Sequence, residues 1–190
     1  MRENETVPRY VLRLALTLLL ITGAMAAVLA GVHHLTAPRI AEAQARKTVS
    51  ALSAVLPDAD TAVQLTEFPD ETGLVSEVYR SGSAYGLKVT PAGFDNTITL
   101  MVGVGRGGTV LGVCVISHTE TPNLGATAAD PGPRGQGFRA QFEDERGTVA
   151  LKKDGGHIDA ITGATITSRA VVTGVNAALA CVAAMEGGAE

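Results

Sequence analysis

Residues 14–32 read LALTLLLITGAMAAVLAGV, a run of 19 residues without a charge. As a helix rising about 1.5 Å per residue, this run would span roughly 28 Å, close to the roughly 30 Å hydrocarbon thickness of a bilayer. The sequence therefore predicts a single transmembrane helix over 14–32, with residues 1–13 as a cytoplasmic N-terminus. The rest of the chain would then lie on the extracytoplasmic side.

A cleaved signal peptide is the alternative interpretation of the same run. Arg9 and Arg13 precede it, and Ala24-Met25-Ala26 has the small-x-small pattern of a cleavage site. The apolar run continues past that site to Val32, which favours a retained anchor. Basic residues also follow the run closely, and they weaken the charge argument for its orientation.

The composition of the chain limits the class of protein to which the part beyond the anchor can belong. The 190-residue chain is 46% hydrophobic and 18% charged, which excludes a disordered or collagen-like class and leaves room for one domain. A net charge of −4, aromatic residues at 4% and the lack of Trp argue against nucleic acid as a partner. Cys114 and Cys181 form no C-x-x-C pair, so they indicate two buried thiols, with one disulfide as the open alternative.

Periodicity outlines the elements beyond the anchor. Residues 33–69 are predicted to connect anchor and domain, through a helix over 38–56 with Pro38 in its first turn and then a polar linker. Residues 70–190 are predicted to form the domain. Its expected strands lie at 74–79, 85–90, 97–104 and 110–117, followed by a short helix at 138–145.

The last helix carries an apolar stripe and ends at Gly187-Gly188; the stripe comprises Val171, Val175, Ala178, Val182 and Met185. Strands followed by helices predict an α+β fold with a mainly antiparallel sheet and a C-terminal packing helix.

Hydroxyl residues are concentrated just before that last helix, in residues 159–168, DAITGATITS. A helix N-terminus presents unpaired N–H groups and the positive end of the helix dipole, so a phosphate held here would be stabilised. The alternative is an ordinary helix cap, because Ser and Thr are preferred N-cap residues.

Two motifs resemble those of the FMN-binding domain family. The pattern Asp-x-x-Thr-Gly-Ala-Thr-x-Thr-Ser at 159–168 is similar to the family's flavinylation motif. Residues 120–125, ETPNLG, resemble its Glu-Thr-Pro-Gly-Leu-Gly signature. Asn123 stands where Gly is usual, and Asn tolerates the left-handed backbone angles that such a turn requires.

The resemblance implies a covalent cofactor. In this family FMN is joined through its phosphate to a threonine hydroxyl, here Thr167, by a separate flavin transferase that uses FAD and Mg²⁺. A second Gly-Ala-Thr at 125–127 has Ala129 where the acceptor hydroxyl would stand, so it cannot complete the motif. The other residues expected to contact the cofactor are Asp159, Thr162, Gly163, Ala164 and Thr165 in the first motif and Glu120, Thr121, Leu124 and Gly125 in the second.

The family includes electron-carrying subunits of Rnf-type ion-translocating complexes and of Na⁺-translocating NADH:quinone reductases, and the short chain favours the Rnf type. The resemblance therefore implies a single-pass cell-membrane protein whose partners are other subunits of a redox complex. Two further interpretations stay open. The chain could be a secreted or anchored binding module without cofactor, or a flavin-bearing sensor or reductase with a soluble partner. His118 near Glu120 lacks a third ligand at a suitable spacing, so no metal site is expected.

Overall fold

The computed structural model describes residues 6–187. Residues 1–5, which belong to the predicted cytoplasmic N-terminus, and Gly188, predicted to help end the last helix, lie outside this range. The chain divides into two compact units, one up to Arg46 and one from Lys47 onward.

The first unit is helical throughout its described part. Helix α1 runs over Thr6–Val55, and its apolar residues between Val11 and Val32 are exposed, as expected for a segment that lipid would cover. By length and composition, Arg9–Val55 can cross a membrane. Threonine hydroxyls in the apolar stretch donate to carbonyls one turn earlier, such as Thr22 to Leu18 at 2.8 Å, so they are satisfied without water.

The prediction that a separate helix begins at Pro38 is wrong. Pro38 lies inside α1, where it removes one backbone hydrogen bond. Residues 39–55 are rich in Ala and other good helix formers, which allow the helix to continue past the proline. The predicted end is confirmed, because α1 ends at Val55, just before Pro57.

The second unit contains a five-stranded antiparallel sheet in which the strands follow chain order. Its strands are β1 Val63–Leu65, β2 Val75–Ser81, β3 Ala84–Val89, β4 Thr99–Gly105 and β5 Thr109–Ser117. The four predicted strands correspond to β2–β5. Strand β1 is missed by the prediction because its three residues lie in the polar stretch that was assigned to the linker.

One face of the sheet packs against α3, Thr165–Gly187. The predicted stripe on this helix is confirmed, since Val171, Val175, Ala178 and Val182 are buried in the larger core cluster with residues of β2–β5. The α+β prediction is therefore confirmed, with an antiparallel sheet and a C-terminal packing helix.

The other face of the sheet receives the end of α1. Leu52, Val55 and Leu56 pack there, over a row of glycines that pair in register across β3, β4 and β5. The approach is closest at Gly103, where an added Cβ would lie 2.3 Å from the Val55 carbonyl oxygen. Only glycine at this position lets the helix end lie so near the sheet.

The short helix starts earlier than predicted. Helix α2 covers Pro133–Ala140 rather than 138–145. Pro133 fits the first turn, where its missing N–H needs no partner. The chain cannot continue helically to 145, because Asp144 adopts a left-handed backbone angle with φ of 64°.

The two cysteines do not meet. Cys114 lies beside the core cluster on the α1 face of the sheet, whereas Cys181 is buried in the cluster on the α3 face. Both are free thiols, so the disulfide alternative is wrong; Cys181 is buried as predicted, whereas Cys114 is only half-buried.

Candidate functional site

The two motifs meet although they are far apart in the chain. The loop after β5, the start of α3 and the loop that follows β3 together enclose a cleft of about 360 Å³, which we call the Thr167 cleft. The predicted site residues that line it are Glu120, Thr121, Leu124, Gly125, Gly163, Ala164, Thr165 and Thr167.

Asp159 and Thr162 lie elsewhere, beside a neighbouring groove of about 230 Å³. The Asp159 carboxylate accepts a hydrogen bond from Lys152 Nζ at 2.6 Å, and its backbone N–H donates to Gln141 Oε1 at 2.7 Å. These contacts give Asp159 a role in fixing the loop before α3.

Thr167 lies at the base of its cleft with 1% of its surface exposed. Its hydroxyl donates to Glu120 Oε2 at 2.5 Å. The other carboxylate oxygen, Oε1, accepts the Phe94 backbone N–H at 2.8 Å. Thr167 of one motif is thus hydrogen-bonded to the first residue of the other motif.

The start of α3 offers free backbone donors to this cleft. Ser168 is the first residue whose N–H bonds back along the helix, to the Ala164 carbonyl at 3.0 Å. The N–H groups of residues 165–167 therefore precede the hydrogen-bonding ladder of the helix and carry its positive end. An anion on the Thr167 side chain would lie in the first turn of α3, where negative charge is favoured.

Ser168 holds this helix start in place, a role that sequence reasoning did not assign to it. Its fully buried hydroxyl accepts the Ile161 N–H at 3.0 Å and donates to the Ala164 carbonyl at 2.9 Å. A serine within a predicted helix start was the available signal. These buried bonds tie Ile161 and Ala164, in the loop before α3, to the first turns of the helix.

The turn expected at Asn123 is present. Asn123 has φ of 61°, in the left-handed region that Asn tolerates, and the Leu124 N–H bonds to the Thr121 carbonyl at 3.2 Å. This turn brings Leu124 and Gly125 to the cleft. The departure from the usual glycine therefore leaves the loop intact.

Exposed apolar side chains form the rim of the cleft. Phe94, Leu124 and Ile166 all line it and are 65%, 42% and 50% exposed. Sequence reasoning gave no site role to Phe94 or Ile166. The available signal was an aromatic residue in a chain with only 4 Phe and no Trp.

One cation borders the same cleft. Lys153 Nζ lies 3.4 Å from Thr165 Oγ1 in the first turn of α3. The sequence alone favours a solvated face for Lys153, with a position near a flavin as the alternative. The structure brings it to the helix start.

These features fit an FMN group. The volume falls within the roughly 300–1,000 Å³ of small-molecule sites. Gly125 leaves room for the Thr167 hydroxyl, because a Cβ there would lie 2.5 Å from Thr167 Oγ1. The apolar rim suits the flavin ring, and the helix start with Lys153 suits its phosphate. A larger cleft of about 740 Å³ beside Ala177, Ala180 and Ala183 also falls within this range, but it is lined by neither a helix start nor a lysine.

Sequence comparisons agree with this site. The profile of the FMN-binding domain matches residues 93–180, and that of the RnfG N-terminal region matches residues 3–55. The chain is 32% identical over 161 residues to the G subunit of the proton-translocating ferredoxin:NAD(+) oxidoreductase complex of Clostridium ljungdahlii, covering 85% of each chain.

Two further relatives are similar over most of their length. The G subunit of the ion-translocating oxidoreductase complex of Methanosarcina acetivorans is 33% identical, with 92% of this chain and 96% of the relative covered. The corresponding subunit of Pseudomonas aeruginosa is 36% identical, with 90% and 88% covered. The chain therefore belongs to the RnfG family, the G subunits of ion-translocating oxidoreductase complexes, whose characteristic module is an FMN-binding domain.

Proposed function

We propose that this chain carries electrons inside a membrane-bound, ion-translocating redox complex of the Rnf type, through FMN attached to Thr167 by a phosphodiester bond. The observation that carries the proposal is the position of the Thr167 hydroxyl. It lies in the first turn of α3, at the base of a cleft with an apolar rim. Relatives over nearly the whole chain are subunits of complexes named for ferredoxin:NAD(+) oxidoreduction or ion translocation.

The residue chemistry supports Thr167 as the acceptor. An alcohol can form a phosphate ester, whereas the neighbouring alkyl side chains have no nucleophile. The resulting phosphodiester keeps a negative charge, which the first turn of α3 and Lys153 would stabilise. Thr127, in the other Gly-Ala-Thr, lines the neighbouring groove rather than the Thr167 cleft.

The rim supports a flavin ring rather than a sugar or a simple anion. Phe94, Leu124 and Ile166 expose apolar surface around one opening, and covering it with a flat apolar ring is favourable. Bound FMN would supply one- and two-electron redox chemistry. The covalent bond would prevent its loss and fix its distance to neighbouring carriers.

Attachment requires the rim to open. Because only 1% of Thr167 is exposed, a flavin phosphate reaches its hydroxyl only when the residues that cover it move. Leu124 and Gly163 are two rim residues that lie close together, since a Cβ at Gly163 would lie 3.0 Å from Leu124 Cδ2. The flavin transferase is the partner that would act on this opened form.

The apolar segment of α1 and the family associate the chain with a membrane. In the proposal, residues 14–32 cross the cell membrane once, residues 1–13 are cytoplasmic and 33–69 connect the anchor to the domain. The FMN-binding domain at 70–190 lies on the extracytoplasmic side, with other subunits of the complex as neighbours. The profile match over residues 3–55 supports an Rnf-type chain rather than the C subunit of a Na⁺-translocating NADH:quinone reductase.

A denaturing gel tests the proposal. The full chain is produced in a host with the flavin transferase, denatured and examined for flavin fluorescence in the protein band. We expect fluorescence in the wild type and in Thr127→Ala, and none in Thr167→Ala. Fluorescence that persists in Thr167→Ala would overturn the assignment of the acceptor. A wild-type band without flavin would favour an anchored binding module in which residues 159–168 only cap a helix.

A further inference from the structure

Glu120 is a buried acid with an unusual set of partners. It is 5% exposed, and its two carboxylate oxygens accept the Thr167 hydroxyl and the Phe94 N–H. Within residues 6–187, no ion pair includes Glu120. Glutamate is rarely buried without a cation partner, so this one has a cost that packing alone does not explain.

Two backbone segments hold the carboxylate on opposite sides. A Cβ at Gly93 would lie 2.2 Å from Glu120 Oε1, and a Cβ at Gly125 would lie 2.3 Å from Oε2. Both loops therefore approach the carboxylate as closely as a glycine backbone can. With its oxygens fixed in this way, Glu120 has little freedom to turn away from the Thr167 hydroxyl.

A glutamine would satisfy the same shape and could accept one of the same hydrogen bonds. What a carboxylate adds is the capacity to take the hydroxyl proton. A general base must lie within about 2.6–3.2 Å of the atom that it deprotonates, and Glu120 Oε2 already meets Thr167 Oγ1 at hydrogen-bond distance in the unmodified chain.

We infer that Glu120 is the general base for attachment of the flavin at Thr167, so that the acceptor chain supplies this part of the chemistry itself. The inference rests on the proposed function. As the Thr167 oxygen forms its bond to the flavin-side phosphorus of FAD, the phosphorus–oxygen bond to AMP breaks and AMP leaves with the electron pair. The Thr167 proton passes to Glu120 and then to solvent, and nothing is oxidised or reduced.

The test measures attachment kinetics on the purified full chain in detergent, with flavin transferase, FAD and Mg²⁺. Flavin in the denatured protein band is followed over time at several concentrations of acceptor chain. Glu120→Gln is expected to lower kcat by about 10²- to 10⁴-fold, the usual contribution of a general base, while the KM for the acceptor chain stays within a few fold. Glu77→Gln, the same change on β2 outside the cleft, is the matched control and should retain wild-type kcat.

The outcomes separate the two proposals. If the wild-type chain takes no flavin, the proposed function fails. If the wild type is modified and folded Glu120→Gln is modified at a similar kcat, or if the loss lies in KM, only the role of Glu120 as a base fails. Protection of the buried Cys181 thiol from labelling reports whether each variant is folded.

Glu120→Asp takes the place of Glu120→Gln in the kinetic test if the glutamine variant does not fold. It retains a carboxylate but not the shape of the side chain. Attachment that is slowed yet measurable, and that exceeds the rate for Glu120→Ala, supports the base. Equal rates for the aspartate and alanine variants would overturn it.

Discussion

Adding one methyl group at Gly125 tests the geometry of the site most sharply. Its Cβ would lie 2.3 Å from Glu120 Oε2 and 2.5 Å from Thr167 Oγ1, whereas real Cβ contacts essentially never fall below 3.0 Å. The two oxygens must therefore retreat by at least about 0.7 and 0.5 Å. Gly125 does not have a positive φ, so alanine suits the backbone there and the effect of the substitution is steric.

Two effects of Gly125→Ala follow from these distances. Overpacking beside a buried hydrogen bond should lower the free energy of unfolding by about 1–3 kcal/mol. A displacement of the Thr167 hydroxyl by about 0.5 Å or more should slow flavin attachment by up to about 10²-fold, the loss expected for a misplacement of about 1 Å. The two oxygens must retreat by different amounts, so the Thr167–Glu120 hydrogen bond is distorted as well.

The assay combines attachment rates with denaturant unfolding of the full chain in detergent. Cys181 labelling reports unfolding, because burial raises the pKa of this thiol to about 11 and makes it unreactive in the folded protein. Gly137→Ala on α2 is the control, since its Cβ would meet nothing within 4 Å. Wild-type attachment and stability in Gly125→Ala would refute the described packing of the cleft.

Three further substitutions, the first with a matched control, test other parts of the structure. Gly103→Ala should lower the free energy of unfolding by about 1–3 kcal/mol in the same denaturant assay, because its Cβ would meet the Val55 carbonyl at 2.3 Å. Gly112→Ala in the same row of glycines is the control. It should leave the free energy of unfolding nearly unchanged, because its Cβ would have no neighbour nearer than 3.8 Å. Equal losses would contradict the packing of the α1 end. Phe94→Ala should leave attachment intact but weaken packing of the flavin ring by about 0.5–1.5 kcal/mol, measured as easier quenching of bound-flavin fluorescence by iodide; unchanged quenching would remove Phe94 from the ring site. Burial raises the pKa of Glu77, but hydrogen bonds from Lys88 and Tyr79 outweigh it and leave this pKa below its ordinary value. Glu77 thus contributes stability at pH values above about 4.3, its pKa in the unfolded chain, and this stability is lost as the pH falls through its lower pKa in the folded protein. Glu77→Gln should therefore flatten the acid side of a stability–pH curve. An unchanged acid side would contradict this.

The local sequence pattern was enough to predict the elements that have a clear local signal. The stripe from Val171 to Val182 predicted α3, and strand-like apolar runs predicted β2–β5, because both signals lie within a few residues of the chain. Pro38 led to a wrong prediction, because a helix can continue past a proline when the residues around it are good helix formers. Strand β1 pairs with β2 through three residues of a polar stretch, which no local pattern reveals.

For a similar reason, only part of the site could be predicted from the sequence. The motifs at 120–125 and 159–168 could be recognised separately, but the bond between Glu120 and Thr167 joins residues 47 positions apart. Only the fold of the sheet and α3 brings these residues together. The same holds for Phe94, whose backbone N–H reaches Glu120 from a third segment.

Peptide mass spectrometry of the chain from cells that contain the flavin transferase tests the central claim most directly. Trypsin cleavage after Lys153 and Arg169 releases residues 154–169 with Thr167, and cleavage after Arg106 and Arg134 places Thr127 on a separate peptide. We expect an FMN adduct on the first peptide, with fragment ions that locate it on Thr167 rather than on Thr162 or Thr165. Recovery of 154–169 entirely unmodified, from cells in which a known acceptor is flavinylated, would contradict the account.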